Sequence, residues 1–217
     1  VIWKAFREQL SPRFDTLVDQ ADRIDGARFC LDEILHPEGD FWGSLSMSLS
    51  GGLCEDESGE ESYRERVVQE LLRDPGGCGL REDPLVRKRR LRALNREDVW
   101  KEQLLKTTRD LGGVTLTDHR KGQQRSGGSR FLVFALFPET HFNIRVRPEE
   151  GVPGRLVVSV GHSILQSSST VAIGPLLTTW GGGGHHGAGS CSIPEGQWDS
   201  FLEDVLPVLR GGGCPAP

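Results

Sequence analysis

The chain has 217 residues, 36% apolar and 26% charged, with a formal net charge of −5, a composition that fits a soluble globular protein with room for one large or two small domains. Without a sustained basic stripe it is not built for long duplex nucleic acid, although small anionic ligands need only a local pocket of donors. No apolar run approaches the ~20 residues of a membrane helix, no secretory pattern opens the chain, and no membrane partner is expected. The five cysteines, Cys30, Cys54, Cys78, Cys191 and Cys214, are odd in number and form no CxxC pair, which argues against a disulfide framework and a structural zinc site and fits a reducing cytoplasm.

The chain opens on Val1 and runs directly into helical spacing at Ile2, Trp3, Phe6 and Leu10, which suggests that it is incomplete at its N-terminus. Ser11-Pro12 interrupts the pattern before Phe14, Leu17, Val18 and Ala21 resume it. These helices are expected to cover a sheet that the chain itself lacks. Asp19, Asp22 and Asp25 recur every three residues and on a continuous helix share one face, which by itself reads as a solvated acidic face.

Cys54 to Ser62 and Asp74 to Gly79 read as loops, with a helix over Tyr63–Arg73 between them. A long polar helix follows from Leu85 to about Asp110, stopped by Gly112-Gly113. Its Arg87-Lys-Arg-Arg90 run reads as a solvated face. Val114–Thr117, Phe142–Val146 and Leu156–Val160 alternate as strands do, whereas Arg130–Phe137 is apolar throughout and its periodicity leaves helix or strand open. Gly122–Gly128 reads as a polar loop, Thr170–Trp180 as a short helix with Pro175 in its first turn, Ser190–Ile193 as a strand and Glu195–Leu209 as the final helix. Gly211–Pro217 is expected to be a frayed tail.

The most specific stretch runs from Trp180 to Pro194. Gly181, Gly182, Gly183 and Gly184 have no Cβ and tolerate positive φ, so an anion could meet backbone N–H groups there, and His185 and His186 add two possible donors. A flexible linker is the alternative for any glycine run. The close flanking elements, Thr170–Trp180 and Ser190–Ile193, favour a built site.

The run Gly181-Gly-Gly-Gly-His185-His-Gly-Ala-Gly189 resembles the GGGH motif of the substrate-binding DHHA1 domain of DHH-family phosphoesterases. Ala21-Asp-Arg-Ile-Asp25-Gly-Ala-Arg-Phe29 is similar to the last aspartate motif of that family's catalytic domain. Lys101-Glu-Gln-Leu-Leu105, Arg130–Pro138 and Gly161-His-Ser-Ile-Leu165 resemble the exopolyphosphatase-like branch, so the resemblance covers most of residues 15–210. It implies an α/β fold with a mixed-sheet DHHA1-type domain over 111–217, loops and linker helices over 54–110, and the helical end of a DHH catalytic domain over 1–53. It also makes Arg130–Phe137 a buried helix.

The implied function is metal-dependent hydrolysis of phosphate esters or phosphoanhydrides. Polyphosphate, a short single-stranded oligonucleotide and a small nucleotide phosphate are the implied substrates, and a non-catalytic phosphate- or nucleotide-binding module is the alternative. Gly181–Gly184 and His185 would hold substrate phosphate. His162 and Ser163 would contribute at the place where relatives carry a basic residue and a serine, although a strand-end histidine exposed to water reads as readily. Asp25, with Asp22 as second choice, would ligate one ion of a two-metal Mn²⁺ (or Mg²⁺) site. The family's Asp-His-His triplet is absent, and Asp118-His119-Arg120 lies too far downstream to replace it. The chain alone is therefore expected to be inactive as a hydrolase.

Overall fold

The computed structural model describes residues 5–9, 11–50, 57–121, 127–166 and 169–212. Ile2, Trp3 and Leu10, the start of the loop expected after Cys54, most of Gly122–Gly128 and the tail beyond Gly212 lie outside the described residues. The chain divides into two compact units, Val1–Asp98 and Val99–Pro217.

Helices are the regular elements of the first unit among its described residues. It contains α1 (Asp15–Asp25), α2 (Leu31–Leu35), α3 (Phe41–Ser48), α4 (Glu57–Arg73), α5 (Cys78–Glu82) and the start of α6 (Pro84–Thr107). Phe41 and Leu45 of α3 meet Tyr63 and Val67 of α4, Leu80 of α5 and Val86 of α6 in one apolar cluster. Helices that follow α3 in the chain thus cover it. No side chain of α1 is fully buried. Its C-terminal end is tied down by Arg23, which donates to Glu33 Oε1 (3.0 Å), Asp40 Oδ2 (2.5 Å) and Gln20 Oε1 (3.0 Å) and lies over the Phe29 ring.

Three further readings change. Residues 57–62, expected in a loop, open α4, where the acids Glu60 and Glu61 suit the positive end of the helix dipole. Asp74 does form a turn, its carboxylate accepting N–H bonds from Gly76, Cys78 and Gly79 at 3.0, 2.7 and 3.3 Å, but α5 begins within the expected loop. The Arg87–Arg90 run is solvated only in part. Arg87 and Lys88 are exposed, but Arg89 is buried against Glu60 at 2.9 Å, and Arg90 donates to Ser44 Oγ at 2.9 Å.

The second unit carries a six-stranded mixed sheet. The strands are β1 (Thr108–Asp110), β2 (Val114–Asp118), β3 (Phe142–Pro148), β4 (Arg155–His162), β5 (Gly183–Gly184) and β6 (Ala188–Pro194), in the order β1-β2-β3-β4-β6-β5. Within this sheet only β2 and β3 run parallel, and the connection between them contains the short buried helix α7 (Leu132–Leu136). The α/β class with a mixed sheet is thus the observed one. The helix expected to reach Asp110 stops at Thr107, because Thr108–Asp110 pairs with β2 and Thr108 Oγ1 meets Thr117 Oγ1 at 2.9 Å.

Strand alternation sets the core. Phe142, Ile144 and Val146 of β3, with Leu156, Val158 and Val160 of β4, point to one face. Ile173 and Leu177 of α8 (Ile173–Thr178) and Trp198, Phe201, Val205 and Leu209 of α9 (Trp198–Gly211) cover that face. The 3.6-residue spacing of the α9 positions makes one apolar stripe against the sheet. The other face carries polar side chains at many of the alternate positions.

Candidate functional site

The glycine-rich stretch folds as a tight hairpin beside α8. Gly181 N–H donates to Thr178 O (3.1 Å) and Gly182 N–H to Leu177 O (3.0 Å), closing the end of the helix, with Gly181 in the left-handed region at φ +70°. Gly183 and Gly184 then pair with Ser190 and Gly189, and His185 N–H donates to Ala188 O at 2.9 Å across a two-residue turn of His186 and Gly187. The chain returns along β6 to join β4, which ends at His162.

A Cβ on Gly184 would lie 2.3 Å from Ala188 O and 2.4 Å from Gly189 Cα, and one on Gly182 would lie 2.3 Å from Ser190 O. One on Gly174 of α8 would lie 2.5 Å from Gly184 O. These glycines therefore let the hairpin, β6 and α8 approach at backbone distance. Gly183 differs, since an added Cβ would meet nothing within 4 Å.

The two histidines are anchored by their carbonyls. Gly174 N–H donates to His185 O (2.9 Å) and Ile173 N–H to His186 O (3.0 Å), so α8 fixes the turn. His185 is exposed, and its Nδ1 accepts the Gly187 N–H at 3.2 Å. In the neutral ring the proton then resides on Nε2, leaving a side-chain donor available to a ligand oxygen without any need for positive charge. The His186 ring lies 5.4 Å from that of His162.

His162 receives the hairpin on its main chain, donating its N–H to Gly187 O at 2.9 Å. Its ring packs edge-on against Phe142, and its Nε2–H donates to Val171 O at 2.8 Å. Burial pushes its pKa below the ordinary imidazole value, with His186 acting in the same direction and the Val171 bond opposing them. Burial thus disfavours the protonated ring of His162, whose Nε2 is engaged inside the protein. Ser163 is buried; its N–H donates to His141 O at 2.8 Å, and its Oγ accepts the N–H groups of Leu165 and Gln166, both at 3.2 Å. That arrangement turns the chain after β4.

The other sequence candidates lie elsewhere. Asp22 and Asp25 are on α1 in the first unit, Asp25 exposed at its last position and Asp22 O accepting the Gly26 N–H at 3.0 Å. Among the described residues no group of three or more His, Cys, Asp or Glu is arranged to hold a metal ion. The described residues therefore do not by themselves fit a two-metal centre. Asp118 ends β2 and is committed to Arg120, whose Nη2 lies 2.7 Å from Oδ2; these hydrogen bonds hold the carboxyl below its usual range. Sequence reasoning missed Gly174 and Val171, whose parts depend on what folds against them. The adjacent Gly174-Pro175 pair was the only local sign.

Among solved structures, a pGpG-specific phosphodiesterase from Vibrio cholerae superposes with a TM-score of 0.78 at 23% identity, covering 98% of this chain and 72% of that one. The chain has that protein's fold. A DHH-domain structure described as a member of a family of ribosomal proteins (TM-score 0.46, 14% identity, 60% of this chain and 34% of that one) is too loose a likeness to define a shared fold. The same holds for an uncharacterized Helicobacter pylori protein (TM-score 0.31, 13% identity, 97% and 66%). No protein-family profile matches the chain, and no curated protein matches it.

The lowered pKa of His162 has a testable consequence. A histidine whose folded pKa is depressed costs stability once the unfolded chain can take up a proton, so stability falls as pH drops below about 6.5 towards the folded pKa. Buried His119 is shifted in the same direction, by burial first and then by the Arg145 charge. Melting temperature should therefore decline from pH ~7 to pH ~5, and His162→Gln should flatten part of that slope. An unchanged slope in His162→Gln would show that the fold does not disfavour the protonated form of His162.

Proposed function

We propose that this chain forms the substrate-binding part of a DHH-type phosphoesterase acting on a small phosphorylated nucleotide, with the hairpin Gly181–Gly184 positioning His185 to hold a substrate phosphate. The observation that carries this reading is the His185 geometry: an exposed ring, oriented by Gly187 N–H and by the carbonyl bond to α8, that keeps a donor on Nε2. The glycines supply the close packing that fixes the turn, and His162 supports it from the end of β4. Asp25 and Asp22 are the proposed contribution to a Mn²⁺ or Mg²⁺ site whose remaining ligands are not among the described residues. The chain alone is expected to bind without turnover.

The fold shared with the Vibrio enzyme makes pGpG the first ligand to try, ahead of polyphosphate or a longer single-stranded oligonucleotide. A non-catalytic phosphate- or nucleotide-binding module uses the same hairpin and is the second reading. Calorimetric titration of pGpG into the 217-residue chain should show binding that His185→Ala weakens by about 10- to 150-fold, the worth of a hydrogen bond to a charged group of ~1.5–3 kcal/mol. Unaltered affinity in His185→Ala would remove the hairpin from the site. Turnover of pGpG with Mn²⁺ separates the two readings, since the module predicts binding without hydrolysis in any longer form of the protein.

A further inference from the structure

The sheet face opposite the main core carries a polar row. Alternation along the strands places Thr115 and Thr117 of β2, Asn143, Arg145 and Arg147 of β3 and Ser159 of β4 on this side. Asn143 Nδ2 donates to Thr115 Oγ1 (3.2 Å) and Thr117 Oγ1 (3.0 Å). Arg145 stands in the middle of the row, with Thr117 beside it on β2 and Ser159 on β4.

Hydroxyls flank this arginine, but no counter-charge answers it. Among the described residues Arg145 has no hydrogen-bonded or ion-paired carboxylate. The nearest acids along the strands are already used, Asp118 by Arg120 and Glu149 by Arg155 and Ser192. Burial, followed by the positive charges of Arg147 and Arg130, holds Arg145 below the ordinary arginine range. Three guanidinium groups thus share one neighbourhood. His119 lies close enough for Arg145 to act on it, is 2% exposed, and has a buried Nε2 with no partner, its ring 5.5 Å from that of Trp100.

A partly desolvated arginine with like charges beside it destabilises a fold unless an anion completes it. Guanidinium forks present paired N–H donors that match the oxygens of a phosphate group, and hydroxyls from Thr117 and Ser159 add further partners. We propose that Arg130, Arg145 and Arg147 form a binding site for a phosphoryl or pyrophosphoryl group, built from none of the residues of the hairpin and independent of its function.

Pyrophosphate is the probe, titrated calorimetrically into the full 217-residue chain at ionic strength held constant with NaCl. In a His185→Ala background, which removes the hairpin donor, pyrophosphate should still bind and raise the melting temperature. Adding Arg145→Gln should weaken that binding by about tenfold or more, the scale of one charge-assisted bond, and Arg147→Gln should act in the same direction as a second, independent variant. Without ligand, Arg145→Gln should melt at or above the temperature of the unsubstituted chain, because a like-charge repulsion has been removed. Absence of pyrophosphate binding in the His185→Ala chain, equal binding with and without Arg145→Gln, or an equal rise in melting temperature with NaCl alone would overturn the proposal. If instead His185→Ala changes neither pyrophosphate nor pGpG binding while Arg145→Gln abolishes the former, the hairpin reading fails and this site stands.

Discussion

Gly184→Ala should destabilise the protein by roughly 2–5 kcal/mol, combining the overpacking and left-handed-region penalties. The added methyl would sit 2.3 Å from Ala188 O and 2.4 Å from Gly189 Cα, both main-chain atoms of β6 that cannot rotate aside. Gly184 also has φ +154°, at the edge of the range that side chains avoid. The neighbouring Gly183 provides the control, since an alanine there meets nothing and should change stability by less than about 1 kcal/mol. Urea unfolding of both variants would measure the difference. Equal losses, or a silent Gly184→Ala, would mean that the hairpin is not packed on β6 as described. Because the same packing orients His185, Gly184→Ala should also weaken pGpG binding, whereas Gly183→Ala should largely preserve it.

Residues 181–184 show where sequence reasoning ends. Four glycines announce backbone that something approaches closely, but composition does not name what approaches. For Gly182 and Gly184 it is the chain's own β6, paired through a turn only two residues long, and for Gly174 it is the returning carbonyl of Gly184. The N–H groups of Gly181, Gly182 and His185, which an isolated glycine run would leave free for an anion, are bonded to Thr178, Leu177 and Ala188. His185 remains the exposed donor. The strands of the second unit were more legible, because β3 alternates apolar and polar residues and β4 does so apart from Val157, and a period of two is a local property. Strand β1 was not, since Thr-Arg-Asp continues a helical pattern and becomes a strand only because β2 offers it an edge.

The first unit makes the same distinction through charge. Arg87, Lys88, Arg89 and Arg90 look alike in sequence, yet a helix turns consecutive residues about 100° apart, so they cannot share one environment. Which of them points inward depends on Glu60, on a different helix and 29 residues earlier. No local pattern carries that information. The burial of Arg89 follows from packing α6 against Tyr63 and Val67 of α4, through the cluster that also holds Val86.

Arg89→Ala should accordingly be one of the most damaging single substitutions in the chain. Its Nη1 lies 2.9 Å from Glu60 Oε2 with side-chain exposures of 3% and 10%, its Nη2 donates to Gly59 O at 3.3 Å, and its guanidinium lies 4.1 Å from the Tyr63 ring centre. Removing the arginine leaves a carboxylate in a place that water reaches poorly, and breaking a buried pair in this way costs about 3–5 kcal/mol. Replacing both partners with apolar residues, Glu60→Leu with Arg89→Met, removes both buried charges and should recover much of the loss. Arg87→Ala is the matched control two positions away, because its pair with Glu82 spans 3.3 Å at exposures of 66% and 84% and is screened by solvent. Chemical denaturation should therefore rank Arg89→Ala far below the double variant and leave Arg87→Ala close to the unsubstituted chain. An Arg89→Ala loss no larger than that of Arg87→Ala would show that the Arg89–Glu60 pair does not sit in the core of the first unit.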